Sequence, residues 1–290
     1  STTLLATDSQ VLYAPAMNVR MYEHPATQRN LATLKTDGAL FVGPDAGEMA
    51  CGEFGDGRMA EPEVIADAIE AVLGAAPQPL LGKHVLITAG PTREPIDPVR
   101  YLSNHSSGKQ GYAIASSLAA LGAQVTLVSG PTSLDAPQDV TRVHVNTARE
   151  MLAACEAALP ANVFIAVAAV ADWRPAQAGD IKVKKSSGGI GALELAENPD
   201  ILKTLSGAKN RPSLVIGFAA ETNDVIDHAK AKLKRKGCDW IIANDVSGDV
   251  MGGDSNAMIV VTSDSVTSWP KLSKSASADK LARAIVEHMT

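Results

Sequence analysis

The stretch Asn162-Val163-Phe164-Ile165-Ala166-Val167-Ala168-Ala169-Val170 is apolar on consecutive residues, with no polar alternation. Such a run reads as a strand buried on both faces, the habit of a parallel sheet covered by helices on each side. Similar runs lie on both sides of it. Upstream are residues 83–88 (Lys-His-Val-Leu-Ile-Thr) and 124–129, with a shorter strand at 143–145. Downstream are 214–218, 240–243 and 257–261. Helical periodicity fills the gaps at 108–121, 148–159, 223–236 and 277–288, with Gly122 and Gly237 as stops. Strands alternating with helices predict a doubly wound, mostly parallel Rossmann-like α/β sheet. Ligands of such sheets bind outside the carboxyl ends of the strands. That rule directs attention to the loops after Thr88, Val170, Phe218 and Ala243.

Ahead of this domain the pattern is sparser. Residues 11–14 and 39–42 read as short strands, 26–35 and 61–73 as helices with Pro62 in a first turn, and 43–57 as a Gly-rich loop. The run Gly74-Ala75-Ala76-Pro77-Gln78-Pro79 is a linker by composition. The expected division is residues 1–73, a linker at 74–80, and a second domain at 81–290. The chain has 290 residues, room for both. Its net charge of −6 and pI near 5.5 offer no broad attraction for nucleic acid or an anionic membrane. An anionic substrate must therefore be held by local basic groups. Cys51, Cys155 and Cys238 lie far apart, without metal-ligand spacing, and suggest a reducing, cytoplasmic setting. No run is long enough for a membrane span and no signal peptide is expected. The chain opens with Ser1, as a fragment or trimmed chain would.

Between the strand ending at Thr88 and the helix starting at Gly108 lies an unusually long loop, which favours a function. Its end, Asn104-His105-Ser106-Ser107-Gly108, can present amides and hydroxyls to an anion, or Ser106 or Ser107 can simply cap the helix. A P-loop is excluded, because Ser103 stands where glycine is needed and Gln110 where Ser or Thr is needed. A dinucleotide fingerprint is disfavoured, since only Gly108 and Gly111 are suitably spaced and the next strand ends in Ser129-Gly130.

Other candidates carry two readings each. Asp172 sits where a functional carboxylate belongs, or caps a turn and pairs with Arg174. Lys182-Val183-Lys184-Lys185, followed by Ser186-Ser187-Gly188-Gly189, is a basic flap over phosphates or a solvated loop. Phe218 faces a nucleobase or the core. Lys232 and Lys236 share a helix face and meet one polyphosphate, or belong to a solvated stripe with Lys230 and Lys234. The residues alone suggest a phosphate- or nucleotide-handling α/β enzyme without fixing its reaction.

The strings Ile87-Thr88-Ala89-Gly90-Pro91-Thr92-Arg93-Glu94-Pro95-Ile96-Asp97-Pro98-Val99-Arg100-Tyr101, Ser103-Asn104-His105-Ser106-Ser107-Gly108-Lys109, Ala168-Ala169-Val170-Ala171-Asp172, Lys182-Val183-Lys184-Lys185, Asn198-Pro199-Asp200-Ile201, Phe218-Ala219-Ala220-Glu221-Thr222 and Ala243-Asn244-Asp245 occur in this order. Together they resemble phosphopantothenate–cysteine ligase across residues 81–290. The resemblance implies coenzyme A biosynthesis, with CTP and Mg²⁺ activating 4′-phosphopantothenate as an acyl-cytidylate. L-cysteine then displaces CMP. It implies that Asn104 contacts the activated carboxylate and that Lys182 supports conversion of the intermediate. It assigns substrate contacts to Ala169, Ser106, Ser107 and Gly108. It places CTP against Ala166, Val167, Ala168, Asp172, Lys182, Asn198, Pro199, Asp200, Ile201, Phe218, Lys232 and Lys236. It leaves Mg²⁺ held mainly by the nucleotide phosphates, and it implies a dimer.

Residues 1–73 resemble the C-terminal part of the flavin-dependent phosphopantothenoylcysteine decarboxylase, a partial flavoprotein-type α/β segment. The matching motifs are Pro15-Ala16-Met17-Asn18 and Ala50-Cys51-Gly52-Glu53-Phe54-Gly55-Asp56-Gly57-Arg58-Met59. The resemblance implies that Asn18 holds the substrate carboxylate and that Cys51 is a proton donor. A lone cysteine outside such a motif reads as an inert thiol. The family's catalytic histidine and much of its FMN site belong to an N-terminal half absent from this sequence. Decarboxylation and a larger assembly are therefore expected of a longer chain. Two other classes stay open at this point: a flavin decarboxylase with an accessory second domain, and a non-catalytic nucleotide sensor.

Overall fold

A computed structural model describes all residues except 1, 8, 49–51, 74–76, 183, 185–191, 222–223, 246–254 and 290, and the backbone alone at 3, 220–221, 245 and 255–256. The chain divides into two compact units, Ser1–Ala76 and Pro77–Thr290.

The first unit opens with helix α1 (Thr2–Leu5). Strand β1 (Leu12–Tyr13) precedes helices α2 (Val19–Glu23) and α3 (Pro25–Thr36), and β2 (Leu40–Phe41) then pairs with β1 in parallel. Residues 43–57, read from sequence as a loop, contain an antiparallel hairpin of β3 (Asp45–Glu48) and β4 (Phe54–Arg58). Glycines there lack the side-chain pattern that marks a strand, and backbone pairing makes the hairpin regardless. Helix α4 (Pro62–Leu73) closes the unit.

The second unit runs, in chain order, β5 (His84–Ala89), β6 (Arg93–Pro95), β7 (Tyr101–Ser103), α5 (Lys109–Ala120), β8 (Gln124–Ser129), β9 (Val140–His144) and α6 (Ala148–Ala157). It continues with β10 (Val163–Ala166), β11 (Trp173–Pro175), β12 (Leu195–Glu197), α7 (Ile201–Ser206), β13 (Leu214–Glu221), α8 (Val225–Lys236) and β14 (Trp240–Asp245). Last come β15 (Ser255–Asn256), β16 (Met258–Val261), β17 (Val266–Ser268), β18 (Leu272–Ser273) and α9 (Lys274–Met289). The main sheet has the order β17-β16-β14-β13-β10-β5-β8-β9. It is parallel from β14 to β9, with β16 and β17 added antiparallel at one edge. Successive residues on each strand serve opposite faces. Val85, Ile87, Val163, Ile165, Leu214 and Ile216 pack with Ile114 and Leu118 of α5 and Leu281 and Ile285 of α9. Leu86, Phe164, Val215 and Ile241 pack with Met151 of α6, Leu205 of α7 and Ala229 of α8. This two-sided burial is why the central runs show no alternation.

The chain moves from β5 outward to β8 and β9, then returns to the other side of β5 as β10. The sheet's switch point is therefore the gap between β5 and β10. The apolar run at 162–170 makes ladder only over Val163–Ala166, because the backbone then turns away to form the lip of that gap. The long 89–107 loop carries the β6–β7 hairpin, and β11 pairs with β12 as a second small ribbon. A Cβ added at Gly217 of β13 would lie 2.5 Å from Leu202 Cδ2 and 2.9 Å from Ile241 Cδ1, so an alanine there has to push aside two buried side-chain tips, one of them on α7. Gly217→Ala is expected to lower stability by about 1–3 kcal/mol through overpacking, measured as a shifted urea midpoint; an unchanged midpoint would refute the close seating of α7.

Candidate functional site

The switch point opens into a cleft of about 380 Å³. Thr88 of β5, Ala166 of β10 and Phe218 of β13 contribute at the strand ends, with Ala168 from the turn beyond. Val170, Ala171, Asp172 and Trp173 line one stretch of wall. Glu197, Asn198, Pro199, Asp200, Ile201 and Leu202 line another, with Lys232 and Lys236 reaching in from α8. Small side chains at Ala166, Ala168 and Ala171 let a ligand approach the backbone there.

The walls are held by specific polar contacts. Asn198 N donates to Asp172 O at 2.9 Å, and Asn198 Nδ2 donates to Ala171 O at 2.8 Å. That second bond assigns the amide nitrogen, since a carbonyl only accepts. Asn198 Oδ1 is buried without a hydrogen-bond partner among the described residues. Asp200 caps α7, accepting from Lys203 N at 3.1 Å, and pairs with Lys236 Nζ. Lys232 Nζ donates to Phe218 O at 2.8 Å. The helix lysines are thus turned inward rather than forming only a solvated stripe. Phe218 lines the cleft and also packs against the core. Among the described residues no group pairs with the Asp172 carboxylate. The Arg174 guanidinium donates instead to Glu197 O, which removes the Asp172–Arg174 pair from consideration.

Just past the wall, Asn104 Nδ2 donates to Ala169 O at 3.2 Å. The two residues come from segments far apart in sequence, just after β7 and β10, and meet at the lip of the cleft. Ser106 N bonds Asn104 O at 3.1 Å, and Gly108 N bonds Ser106 Oγ at 3.4 Å. The cap of α5 is Gly108, left-handed at φ 77° and without a side-chain cap, so neither Ser106 nor Ser107 caps that helix. Cβ atoms built on Gly90 and Gly108 would lie 2.9 and 2.8 Å from Thr132 Cγ2, so both turns require glycine. Val167 lies outside the cleft lining and packs toward the core.

Lys182 is exposed and does not line the cleft. The segment leading to it is tied to the β6–β7 turn by Gly179 N donating to Ile96 O at 2.9 Å. Much of the flap, Val183 and residues 185–191, lies outside the described residues, as does Cys51. In the first unit Asn18 caps α2, accepting from Arg20 N at 2.8 Å, and its Nδ2 bonds Glu53. The Asn18 motif and the stretch around residues 53–57 are therefore packed together, with Met17 N on Gly57 O at 2.9 Å.

Thr88, Trp173 and Glu197 also line the cleft and were not singled out from sequence. Trp173, 49% exposed, was the readable one, an aromatic immediately after Asp172 in a chain with three tryptophans. The described cysteines offer no nucleophile: burial pushes the Cys155 thiol up to about 12 and the Cys238 thiol up to about 11, leaving no thiolate near neutral pH.

Comparison with known proteins adds an independent line. Residues 80–289 match the family described as DNA/pantothenate metabolism flavoprotein C-terminal domain, and residues 2–74 match the flavoprotein family. The coenzyme A biosynthesis bifunctional protein CoaBC of Haemophilus influenzae is 49% identical over 260 residues, covering 89% of this chain and 64% of that protein. Its Vibrio cholerae counterpart is 47% identical over 294 residues, covering 100% of this chain and 73% of that protein. The Escherichia coli counterpart is 49% identical over 263 residues, covering 89% and 64%. This chain thus spans about two thirds of the length of these relatives. Among solved structures, the C-terminal domain of a CoaBC protein aligns at TM-score 0.63 with 42% identity, over 73% of this chain and 98% of that one. The DNA/pantothenate metabolism flavoprotein from Streptococcus pneumoniae aligns at 0.61 with 22% identity, over 71% of this chain and all of the other, a likeness of fold.

The Asp200–Lys236 pair gives a pH signature. Burial raises the Asp200 pKa, but bonds from Lys236 and Lys203 N outweigh it and hold the carboxyl below its ordinary value. A depressed folded-state pKa stabilises the protein above the unfolded value, and that stabilisation is lost as pH falls through the folded value. Asp200→Asn is expected to reduce stability by up to about 1 kcal/mol near pH 6, since the pair is partly exposed. The difference from wild type should shrink once pH drops below about 4. Chemical unfolding at pH 6 and pH 3 measures it, and equal differences at both values would contradict the pairing.

Proposed function

The chain belongs with the bifunctional coenzyme A biosynthesis proteins CoaBC, and on that footing we propose that its second unit is a phosphopantothenate–cysteine ligase. The observation that carries this reading is the cleft itself, lined by Asp172, Lys232 and Lys236, with Asn104 bonded to Ala169 O just outside the lining. CTP occupies the cleft, with its base and sugar against Phe218 and the 198–201 turn. 4′-Phosphopantothenate lies across Ala169, Asn104 and the Ser106–Gly108 turn. Its carboxylate attacks the nucleotide α-phosphorus, releasing pyrophosphate and forming an acyl-cytidylate. The amine of L-cysteine then attacks the acyl carbon, giving phosphopantothenoylcysteine and CMP. This chemistry needs no protein nucleophile; it needs two anions aligned and their charge neutralised. The Asn104 amide meets the reacting carboxylate in this reading, which its position beside Ala169 supports. Lys182 supports the second step from the flap.

A divalent ion fits this donor set. The Asp172 carboxylate is unpaired among the described residues, and magnesium is commonly held by one or two carboxylates plus substrate phosphates. Bound there, it would offset triphosphate charge. In the first unit, the described apolar side chains that are buried are Val42 and Ala60. These residues alone do not form a flavin cradle. FMN-dependent decarboxylation, with Cys51 as proton donor and Asn18 on the substrate carboxylate, is the expected activity of a chain that supplies the rest of that fold.

A dimer of the second unit is also proposed. Val99 and Tyr101 on the β6–β7 hairpin, Trp173 and Leu195 on the β11–β12 ribbon, and Ile181 are exposed. Cytoplasmic residence fits buried free thiols at Cys155 and Cys238. No helix among the described residues is long and apolar enough to cross a membrane.

With CTP, Mg²⁺, 4′-phosphopantothenate and L-cysteine, the chain is expected to release pyrophosphate, with ATP a poorer donor. Absence of release by folded protein overturns the ligase reading. Asn104→Ala and Lys182→Ala should each lower turnover by about 100-fold, the scale of losing one preorganised donor, while leaving thermal unfolding unchanged. Sedimentation at micromolar concentration should find a dimer, and Tyr101→Asp should shift it toward monomer; a wild-type monomer would contradict the assembly.

A further inference from the structure

Glu94 sits in the middle of β6 and is 1% exposed, although strand β6 stands apart from the main sheet. Its Oε1 accepts the amide of Ala148, the first residue of α6, at 2.9 Å. Thr147 caps Glu150 N, and Glu150 reaches back to the Asn146 and Thr147 amides in a capping box. Glu94 takes a helix donor that the box does not use. A carboxylate at that point is favoured by the orphan donors and dipole of the helix end. The adjoining backbone adds a second tie, Arg93 N to Asn146 O at 2.7 Å.

The partner strand of the hairpin leads to the lip of the cleft. Arg93 pairs with Ser103, the residue before Asn104. Ser103 Oγ donates to Thr92 O at 2.7 Å. Thr92 N and Asn104 Nδ2 both donate to Ala169 O, and Thr92 Oγ1 accepts from Ala171 N at 3.0 Å. The turn of the hairpin is braced separately by Asp97, which binds the amides of Val99 and Arg100 at 2.9 Å each. The hairpin is thus a rigid bracket with one foot on α6 and the other beside Asn104.

We propose that Glu94 is a positioning residue, whose buried bond to α6 sets the hairpin so that the Asn104 amide stands at the lip of the cleft. It touches neither the cleft nor the proposed substrates. Apart from the Thr92–Ala171 bond, the cleft is built from other elements, so loss of Glu94 displaces Asn104 far more than the wall that faces the nucleotide. The proposal rests on the ligase reading for its kinetic consequence but not for its structural one.

Glu94→Gln keeps the shape and one acceptor while removing the charge at the helix end. In this variant, amide hydrogen exchange in residues 101–108 should rise at least about tenfold, the factor for a 1.4 kcal/mol loss. Exchange in α7 and α8 should hold, and the dissociation constant for CTP should stay within twofold. Turnover should fall while the KM for CTP does not move. Glu94→Asp, which keeps the charge but withdraws it by one methylene, should give a smaller change, and it serves as the test if the Gln variant folds poorly. Unchanged exchange at 101–108, or exchange raised equally throughout the second unit, overturns the proposal. If the wild-type protein releases no pyrophosphate, the ligase reading fails while the exchange result still decides the role of Glu94.

Discussion

Two threonine hydroxyls make the site possible. Beyond Ala166, β10 leaves the ladder it forms with β5, and the amides that follow lose their regular partners. Val167 N still reaches Thr88 O at 3.2 Å, but Ala168 N bonds Thr88 Oγ1 at 3.4 Å. Ala169 N bonds Gly90 O at 2.9 Å, and Ala171 N bonds Thr92 Oγ1. Thr88 and Thr92 are 2% and 0% exposed, so an unpaired amide beside them would have no water to turn to. An unmade buried hydrogen bond costs about 1–3 kcal/mol. The hydroxyls and the Pro91–Ala169 bridge keep this segment tied to the β5 side, and the cleft opens beside it toward β13 and α8. The glycines at 90 and 108 serve the same opening, letting two turns pass against Thr132.

The cleft does not look like a simple basic pocket. Asp172, Glu197 and Asp200 line it together with Lys232 and Lys236, an excess of one negative charge. A triphosphate would find these five groups alone mildly repulsive. Neutralisation has to arrive from elsewhere, and two sources are consistent with the layout. One is a divalent ion at the unpaired Asp172. The other is the Lys182 and Lys184 segment, which is exposed and outside the lining. Under the ligase proposal, full charge balance would form only with the nucleotide in place, tying binding to assembly of the reactive arrangement.

The main sheet and its helices were legible because buried aliphatic runs and 3.6-residue periodicity are strong, local signals. Gly122 and Gly237 mark helix ends, and both take positive φ there. The additions at the rim were not legible. Strands β6, β7, β11 and β12 are three residues each, too short for a period, and are defined by pairing rather than by local pattern. The reach of the run at 162–170 was overestimated, because the alanines that suit a buried strand also suit a lip against which a ligand packs. Thr88 and Glu94 were passed over for a related reason. Their roles come from backbone amides at residues 168 and 148, and a partner 80 or 54 positions away leaves no trace in local sequence.

The lysines of α8 show what the fold adds to composition. Four lysines at alternate positions along 230–236 read as an ordinary solvated face, and Lys230 and Lys234 remain so. Lys232 and Lys236 differ because α8 packs with α7 over the β13 edge of the cleft. The packing brings Phe218 O to one ammonium and Asp200 to the other. A free lysine side chain surrenders up to about 2 kcal/mol of rotamer entropy when it is fixed on a ligand. Here that ordering has already occurred on folding, so an incoming anion meets two cations in place. The carboxylate that holds Lys236 also caps the first turn of α7, so helix stability and charge placement depend on one residue, Asp200. An anion that takes over Lys236 leaves the cap bond to Lys203 N intact, and the wall of the cleft can stay formed while its charges exchange partners.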